Sequence, residues 1–234
     1  MKKLFVLLVL IVSGKSFAQK GIGMFGKNPI INLENFDKQR VHWGYYLGFN
    51  TYDFKFDYIE PDKDIEVQST TAFNVGLIGN LRLMEYLDLR FEPGLAYSQR
   101  NLVFPNIEDS FDRLREVKST YINFPLLLKF SSKRIGNFRP YLIGGFSKSL
   151  NLGSNSDSKD DNYNDVFRMK KWTSNYEVGF GIDLYFEYFK FSPSVRGVFG
   201  INDELIRDNN PDSPWTGNVE SMKTRGIFIN FAFH

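Results

Sequence analysis

The side chains that could do covalent or acid–base chemistry are few in this chain. Only two histidines are present, His42 and His234, and cysteine is absent. Disulfides, thiol chemistry and Cys-type zinc sites are therefore excluded, and a histidine cluster for a metal is not expected. A serine nucleophile needs a histidine base that an acid holds in place, and neither histidine is placed for that work. We expect no catalytic, cofactor or metal site.

Carboxylates are the remaining candidates for chemistry. Asp88 and Glu92 are of the right type for acid–base work, but packing in a polar interior explains them without catalysis. The loop 157–165 is rich in Asp and Asn, which suggests calcium. An EF-hand needs Gly and Glu at its sixth and twelfth positions, which here hold Asp165 and Lys171. We therefore expect a solvated acidic loop.

The N-terminus has the pattern of a secretory signal peptide. Two lysines precede a nine-residue apolar run, Leu4 to Val12, and a small-residue exit ends at Ala18. A spanning helix needs about 20 apolar residues, so this run is too short to be one. We predict three regions, namely a signal peptide (residues 1–18), a periplasmic lead (19–41) and a folded domain (42–234).

Composition narrows the class of protein further. The formal net charge is +2, which gives no case for a nucleic-acid partner. Aromatic residues make up 17% of the chain. An exported, aromatic-rich chain without a long apolar run can still cross a membrane with strands, because a barrel strand needs apolar residues only at every second position.

Strict alternation of side-chain type predicts eight β-strands. Val178 and Phe180, for example, alternate with Glu177, Gly179 and Gly181. The same pattern occurs in the segments 43–58, 72–83, 87–98, 121–130, 138–150, 175–187, 189–201 and 226–233. In the first segment the apolar face changes between Phe49 and Tyr52, which predicts a bulge near Thr51 or a strand that leaves the membrane there.

The connections between these segments alternate between short and long. This layout is typical of outer-membrane barrels, which have short periplasmic turns and long extracellular loops. We therefore predict an all-β fold, an eight-stranded antiparallel transmembrane β-barrel in the outer membrane of a Gram-negative bacterium, with both termini in the periplasm. A soluble β-sandwich is the alternative, but it needs shorter strands and has no such asymmetry of loops.

The inward face of the predicted barrel carries five acids and five bases. Eight strands enclose a space that side chains just fill, and an unpaired buried charge is costly. We predict lumen ion pairs formed by Arg82, Asp88, Arg90, Glu92, Asp183, Glu187, Lys190 and Arg196, with Lys129 and Glu177 on the same face. A polar conduit or a gated plug is the functional alternative to a hydrogen-bonded filling.

Candidate partner-binding residues lie in the lead and in the second short turn. The apolar side chains of Leu33 and Phe36 need cover, either inside the barrel mouth as a plug or on a partner protein. Lys133 and Arg134 are placed to bind a periplasmic partner or lipid phosphates, or to form a general interfacial collar. We predict these four residues as the partner-binding set.

Several stretches carry a family resemblance. Asn32-Leu33-Glu34-Asn35-Phe36-Asp37 leads into His42-Trp43-Gly44-Tyr45-Tyr46-Leu47-Gly48. Further on come Tyr121-Ile122-Asn123-Phe124-Pro125-Leu126-Leu127-Leu128-Lys129 and Phe138-Arg139-Pro140-Tyr141-Leu142-Ile143-Gly144-Gly145. The last two are similar to outer-membrane barrels in general, whereas the first resembles the PorT family from the Bacteroidetes group. That resemblance implies a role in type IX secretion, which exports proteins across the outer membrane and supports gliding in some bacteria. It brings no catalytic residues.

We therefore expect a non-enzymatic barrel that is an accessory or assembly component of a protein secretion machine. The expected partners are outer-membrane lipid and other secretion-machine proteins in the membrane or periplasm, with no nucleic acid, small-molecule substrate or cofactor. A structural or adhesive surface barrel is the main alternative. An outer-membrane lipid enzyme is a further one.

Overall fold

The computed structural model describes residues 30–60, 64–109 and 111–234. A short 3-10 helix, Phe36–Lys38, precedes ten β-segments. These are β1 (Val41–Tyr58), β2 (Glu66–Ser69), β3 (Thr71–Arg82), β4 (Leu87–Phe91), β5 (Gly94–Val103), β6 (Leu114–Ser131), β7 (Phe138–Asn151), β8 (Trp172–Tyr185), β9 (Lys190–Gly200) and β10 (Val219–Phe233). The predicted signal peptide and the first part of the predicted lead, up to residue 29, lie outside the described residues. In the part that is described, no helix is long and apolar enough to cross a membrane.

The ten segments belong to one antiparallel sheet that closes on itself. β1 pairs with β10 on one side and with β3 on the other, so the first and last strands meet. β2 with β3, and β4 with β5, each fill one position in the wall, and the predicted eight-stranded barrel is confirmed. Pro93 separates β4 from β5 because it has no N–H to donate; its carbonyl accepts instead from the Leu77 amide at 2.9 Å.

Short and long connections alternate around the barrel as predicted. The short turns are 83–86, 132–137 and 186–189, and the long loops are 59–65, 104–113, 152–171 and 201–218. Val41 and Phe233 lie at the same end as the short turns, which we call the turn end. The four long loops lie at the opposite end, the loop end.

Near the turn end, the wall is apolar outside and polar inside. On β6, Leu126 and Leu128 are exposed, whereas Asn123 and Lys129 are buried. A soluble sheet has the reverse arrangement, and a wall surrounded by lipid has this one. Lys148 on β7 and Ser174 on β8 have outward apolar neighbours on their loop side, Leu150 and Trp172. On five other strands the outward face becomes more polar toward the loop end, starting at Thr51 on β1, Thr71 on β3, Gln99 on β5, Thr120 on β6 and Arg225 on β10. We call this set the boundary residues.

β1 explains the change of phase seen in the sequence. Its pairing with β10 stays in register from Tyr45 to Asp57, so the alternative of a bulge near Thr51 is wrong. Beyond Thr51 the side chain of Phe54 points inward and is buried, while Lys55 is exposed. The strand leaves the lipid at the boundary, and its apolar side chains therefore move to the inner face.

An apolar core closes the loop end. It consists of Phe54, Leu102, Phe104, Val117, Phe167, Met169, Leu205, Trp215, Val219 and Met222. Buried hydrogen bonds join the loops above it, such as that from Asn162 Nδ2 to Asp208 Oδ1 at 3.0 Å. The expectation of a solvated acidic loop is wrong for Asp161, which is buried. Its carboxylate accepts from the backbone amides of Tyr163 and Asn209, both at 3.1 Å, and so anchors the loop.

Tyrosine rings pack against glycines inside the barrel. A Cβ atom at Gly94 would lie 2.1 Å from the hydroxyl of Tyr46, and one at Gly181 would lie 2.5 Å from the ring of Tyr141. Both tyrosines are buried. Only glycine therefore leaves room for these rings, which fill the lumen between charged side chains.

Gly181→Ala is expected to destabilise the barrel by about 1–3 kcal/mol, because the added methyl forces the Tyr141 ring to move in a filled interior. Gly144→Ala on the neighbouring strand is the control, since its Cβ would meet only a carbonyl oxygen at 3.4 Å. The stability of both variants is measured by urea titration in detergent micelles, with heat-modified gel mobility as the readout of the folded fraction. Equal stability of the two variants would contradict this account of the packing.

Candidate functional site: a filled lumen and a covered turn end

Four buried charges form a chain of ion pairs across the middle of the lumen. Arg196 on β9 bonds Glu92 at 2.6 Å and Glu177 at 2.9 Å. Glu92 also bonds Arg90 on β4 at 2.7 Å. Glu92 follows β4 directly and Glu177 lies on β8, so three wall positions, those of β4, β8 and β9, contribute to one network. The side chains are at most 6% exposed. Removal of one partner from such a pair destabilises the fold strongly, because the other charge stays buried without compensation.

A second cluster lies closer to the turn end. The carboxylate of Asp183 accepts from Lys129 Nζ at 2.6 Å and from Ser192 Oγ at 2.7 Å. Lys190 lies 4.0 Å from the same carboxylate. The ammonium of Lys129 also lies 4.0 Å from the centre of the Tyr141 ring, a cation–π distance. One carboxylate therefore serves two buried lysines.

Three of the predicted lumen residues lie outside these two clusters. Glu187 is exposed, because β8 ends at Tyr185 and Glu187 falls in the turn where the Phe186 amide bonds the Phe189 carbonyl at 3.0 Å. Its prediction as a lumen residue is wrong, since the period of two stops at that turn. Arg82 and Asp88 are half-buried at the turn-end rim and face each other across β3 and β4. No ion pair joins them in the described part of the chain.

Polar side chains fill the lumen above the ion pairs. Asn74 Nδ2 donates to Asn230 Oδ1 at 2.6 Å, and Asn175 Nδ2 donates to Ser149 Oγ at 3.0 Å. The cavity beside Tyr52 has a volume of only about 10 Å³. A cavity needs about that much volume to hold one water molecule.

Arg100 separates this polar filling from the apolar core at the loop end. It is fully buried, stacks 3.6 Å above the Phe54 ring and donates to Thr224 Oγ1 at 3.2 Å. The loop residue Glu204 accepts from the amide of Thr224 at 2.9 Å and from its hydroxyl at 2.8 Å. Burial raises the pKa of Glu204 above its usual range. The two charges hold the fourth long loop down onto the lumen through one threonine.

The lead covers the opening at the turn end. The ring of Phe36 lies 5.0 Å from the His42 ring and 6.5 Å from the His234 ring, centre to centre. Lys190 Nζ lies 4.7 Å from the Phe36 ring. Asp37 accepts a hydrogen bond from the Tyr185 hydroxyl at 2.6 Å. The ring of Phe36 thus faces the lumen, and the next residue, Asp37, places its carboxylate beside that ring.

The second short turn holds the lead in place. Asn137 is buried; its amide group donates to the Ile30 carbonyl at 2.7 Å and accepts from the Asn32 amide at 2.9 Å. Arg134 donates to the carbonyls of Asn32 and Leu33, and its guanidinium stacks 3.7 Å from the Tyr185 ring. These bonds hold Leu33 half-buried with a left-handed φ of 47°.

The predicted partner-binding residues therefore differ in their surroundings. Phe36 and Arg134 contact the barrel itself, and Leu33 is bound through its backbone carbonyl. Lys133 is exposed. Sequence reasoning gave no role to Asp37 or Asn137. Asp37 lies inside the Asn-Phe-Asp stretch, but no periodicity marks it, and Asn137 lies in a turn where side-chain direction has no period.

The described residues include no group of three or more His, Asp or Glu side chains that could hold a metal ion. His42 and His234 lie 5.0 Å apart, ring centre to ring centre, at the turn end. Their neighbour is Lys190, whose ammonium lies 3.5 Å from His42 Nε2. A cation beside the pair disfavours a second cation there.

Asp183→Asn is expected to destabilise the barrel by about 3–5 kcal/mol, because Lys129 and Lys190 would remain buried without a carboxylate. The shape of the side chain is conserved, so lost packing contributes little. Glu187→Gln is the control, since that exposed carboxylate is expected to contribute less than about 0.5 kcal/mol. Urea titration in micelles measures the difference. If Asp183→Asn unfolds at the same urea concentration as the control, the lysines reach water and the lumen is not sealed.

Several solved structures of bacterial outer-membrane proteins align with this chain. OprG of Pseudomonas aeruginosa aligns with a TM-score of 0.48 and 12% identity, covering 82% of this chain and 93% of that chain. The N-terminal β-barrel domain of P. aeruginosa OprF aligns with a TM-score of 0.39 and 16% identity, covering 81% and 96%. Neisserial surface protein A aligns with a TM-score of 0.42 and 9% identity, covering 80% and 95%. No curated protein matches this chain in sequence.

A family model identifies the chain more directly. The model described as "Outer membrane protein beta-barrel domain" matches residues 17–205, a stretch that contains β1 to β9. Together with the closed wall and its apolar outer face, this match places the chain in lipid. The chain belongs to the outer membrane protein beta-barrel domain family and is an integral β-barrel protein of the bacterial outer membrane.

Proposed function

We propose that this barrel is a closed, non-enzymatic accessory or assembly component of a protein secretion machine and that it acts through its surfaces. The observation that carries the proposal is the filled lumen, with ion pairs in its middle and covers at both ends. A barrel of this kind conducts no cargo, so a role in export has to be indirect. The PorT resemblance implies that the machine is the type IX system, with a part in gliding where the bacterium glides.

If both termini lie in the periplasm, as the strand number predicts, the turn end faces the periplasm. Its exposed residues are then suited to contact with a periplasmic protein. Ile30, Ile31 and Ile135 are 67%, 56% and 61% exposed. Hydrogen bonds from Asn137 and Arg134 hold the lead beside this turn, so the three side chains share one side of the molecule. Exposed Lys133 lies in the same turn. Apolar residues beside a basic one are suited to a partner that covers the former and pairs with the latter.

A structural or adhesive surface barrel is the second candidate, and the loop end favours it. The long loops are fixed by a buried core and by buried carboxylates such as Asp161 and Asp208. Phe111 is 88% exposed at this end. An ordered surface with an exposed aromatic residue is suited to binding outside the cell.

The purified protein is expected to give no channel steps in planar lipid bilayers. Phe36→Ser, which removes the ring at the turn end, is also expected to give none, because the Asp183 and Glu92 networks still fill the middle of the lumen. Single-channel recording across a range of voltages tests both proteins. Steady conductance of the unmodified protein would contradict a closed barrel and the indirect role with it.

The double variant Ile30→Ser, Ile31→Ser is expected to keep the stability of the barrel, because both side chains are exposed, and to reduce secretion in a complemented deletion strain. The secreted protein fraction and the urea midpoint are the two measurements. Phe36→Ser is the matched comparison: its ring packs on the barrel, so its urea midpoint is expected to fall.

One result would contradict the secretion role, and another would contradict only the place assigned to the contact. Normal secretion and surface display of cargo in the deletion strain would exclude it and leave the adhesive candidate. Normal secretion with the double variant alone would move the contact away from the lead.

A further inference from the structure

Lys148 is an unusual cation on the outer face of the barrel. It is exposed on β7, two residues beyond Phe146, which is 69% exposed and faces lipid. Lys148 lies ten residues along β7 from Phe138. With a rise of about 3.3 Å per residue and a tilt of about 40°, this places it about 25 Å above the turn end. The apolar band of such barrels is about 25 Å tall, so Lys148 lies near its upper edge, one outward position below Leu150.

The other outward cations near this edge have carboxylate partners. Arg225 on β10 pairs with Asp53 at 2.6 Å, Lys118 on β6 pairs with Glu116 at 2.6 Å, and Lys55 on β1 pairs with Asp57 at 3.3 Å. Lys223 lies opposite Lys55, and its positive charge helps to lower the pKa of the same Asp57. Lys148 forms no ion pair with any described carboxylate. Its positive charge is therefore available at the level of the lipid headgroups.

The surroundings of Lys148 are aromatic and hydroxylic. Its ammonium lies 5.5 Å from the Trp172 ring, and Trp172 lies 6.4 Å from the Phe124 ring. Phe124 and Ser174 are its direct cross-strand neighbours. Indole rings favour the interface between hydrocarbon and headgroups. The site thus has an apolar side for acyl chains at Phe124 and, toward the turn end, at Phe146, whereas the Trp172 ring lies on its loop side opposite Leu150.

We propose that Lys148, Ser174 and Trp172 bind the phosphate of an anionic lipid in the leaflet at the loop end. The ammonium of Lys148 donates to the phosphate, and the hydroxyl of Ser174 lies beside it on the next strand. Trp172 packs against the glycerol or sugar part of the headgroup, and the acyl chains run down along Phe124 and Phe146. This site does not depend on the secretion role, since it uses the barrel wall alone.

Native mass spectrometry in a neutral detergent tests the proposal, with bisphosphorylated lipid A as the probe. Lys148→Gln is expected to retain lipid A about five-fold more weakly, since a lysine near a charged membrane surface is worth about 1 kcal/mol. Lys118→Gln is the control, because that outward lysine on the adjacent strand is already paired with Glu116. Heat-modified gel mobility verifies that both variants fold.

Each other outcome overturns the proposal. Equal retention by Lys148→Gln and the unmodified protein would exclude the site. Equal losses in Lys148→Gln and Lys118→Gln would indicate general charge attraction. Retention of zwitterionic phosphatidylcholine as strong as that of lipid A would exclude recognition of an anionic headgroup. Displacement of lipid A by an equal concentration of inorganic phosphate would indicate a site for the free anion.

Discussion

The closure of β1 on β10 is the constraint on which the rest of the structure depends. Backbone N–H and C=O groups in hydrocarbon must be paired within the protein, and a ring of strands achieves this without leaving an edge. Here β1 pairs with β3 from Val41 to Thr51 and with β10 from Tyr45 to Tyr58, so it has a neighbour on each side from Tyr45 to Thr51. Once eight strands close, side chains alternate between lipid and a narrow interior, and the inward residues have to pair with one another.

The narrow interior explains the pattern of charges. The two buried clusters contain four cations, Arg90, Lys129, Lys190 and Arg196, and three carboxylates, Glu92, Glu177 and Asp183. The lead adds a fourth carboxylate, because Asp37 lies 3.5 Å from a fifth buried cation, Arg139, and accepts a hydrogen bond from Tyr185 at the turn end. The lead thus contributes to the electrostatic balance of the barrel as well as covering its opening. The lead has no periodicity in the sequence, and it is held at the turn end by the Asp37 carboxylate and the Phe36 ring, which contact lumen residues.

Sequence periodicity predicted the wall because lipid on one side and a filled lumen on the other impose a strict period of two. It predicted Arg90, Glu92, Asp183, Lys190 and Arg196 as inward residues for the same reason, and the structure brings them together. It failed where that constraint ends. Glu187 falls in a turn, Arg82 and Asp88 lie at the rim, and Asp37 and Asn137 act through contacts across more than 100 residues of chain. The loop core escaped prediction because Phe167, Leu205 and Trp215 lie in irregular segments, where burial depends on tertiary contacts.

The medium outside the barrel changes from lipid to water along the barrel axis. This change locates the surfaces that a protein partner can reach. Below the boundary residues the outside is apolar and the lumen polar, whereas above them Phe54 turns inward and Asp53 and Lys55 face water. The two ends are also closed by different means. The loop end is closed by a buried apolar core, which resists local opening. The turn end is closed by Phe36 and by a few hydrogen bonds from Asn137 and Arg134, with Ile30 and Ile31 still exposed. Rearrangement of the lead would break these hydrogen bonds and the contacts of Asp37 with Tyr185 and Arg139 but would leave the wall intact, so a partner that acts on this protein has its easiest access at the turn end.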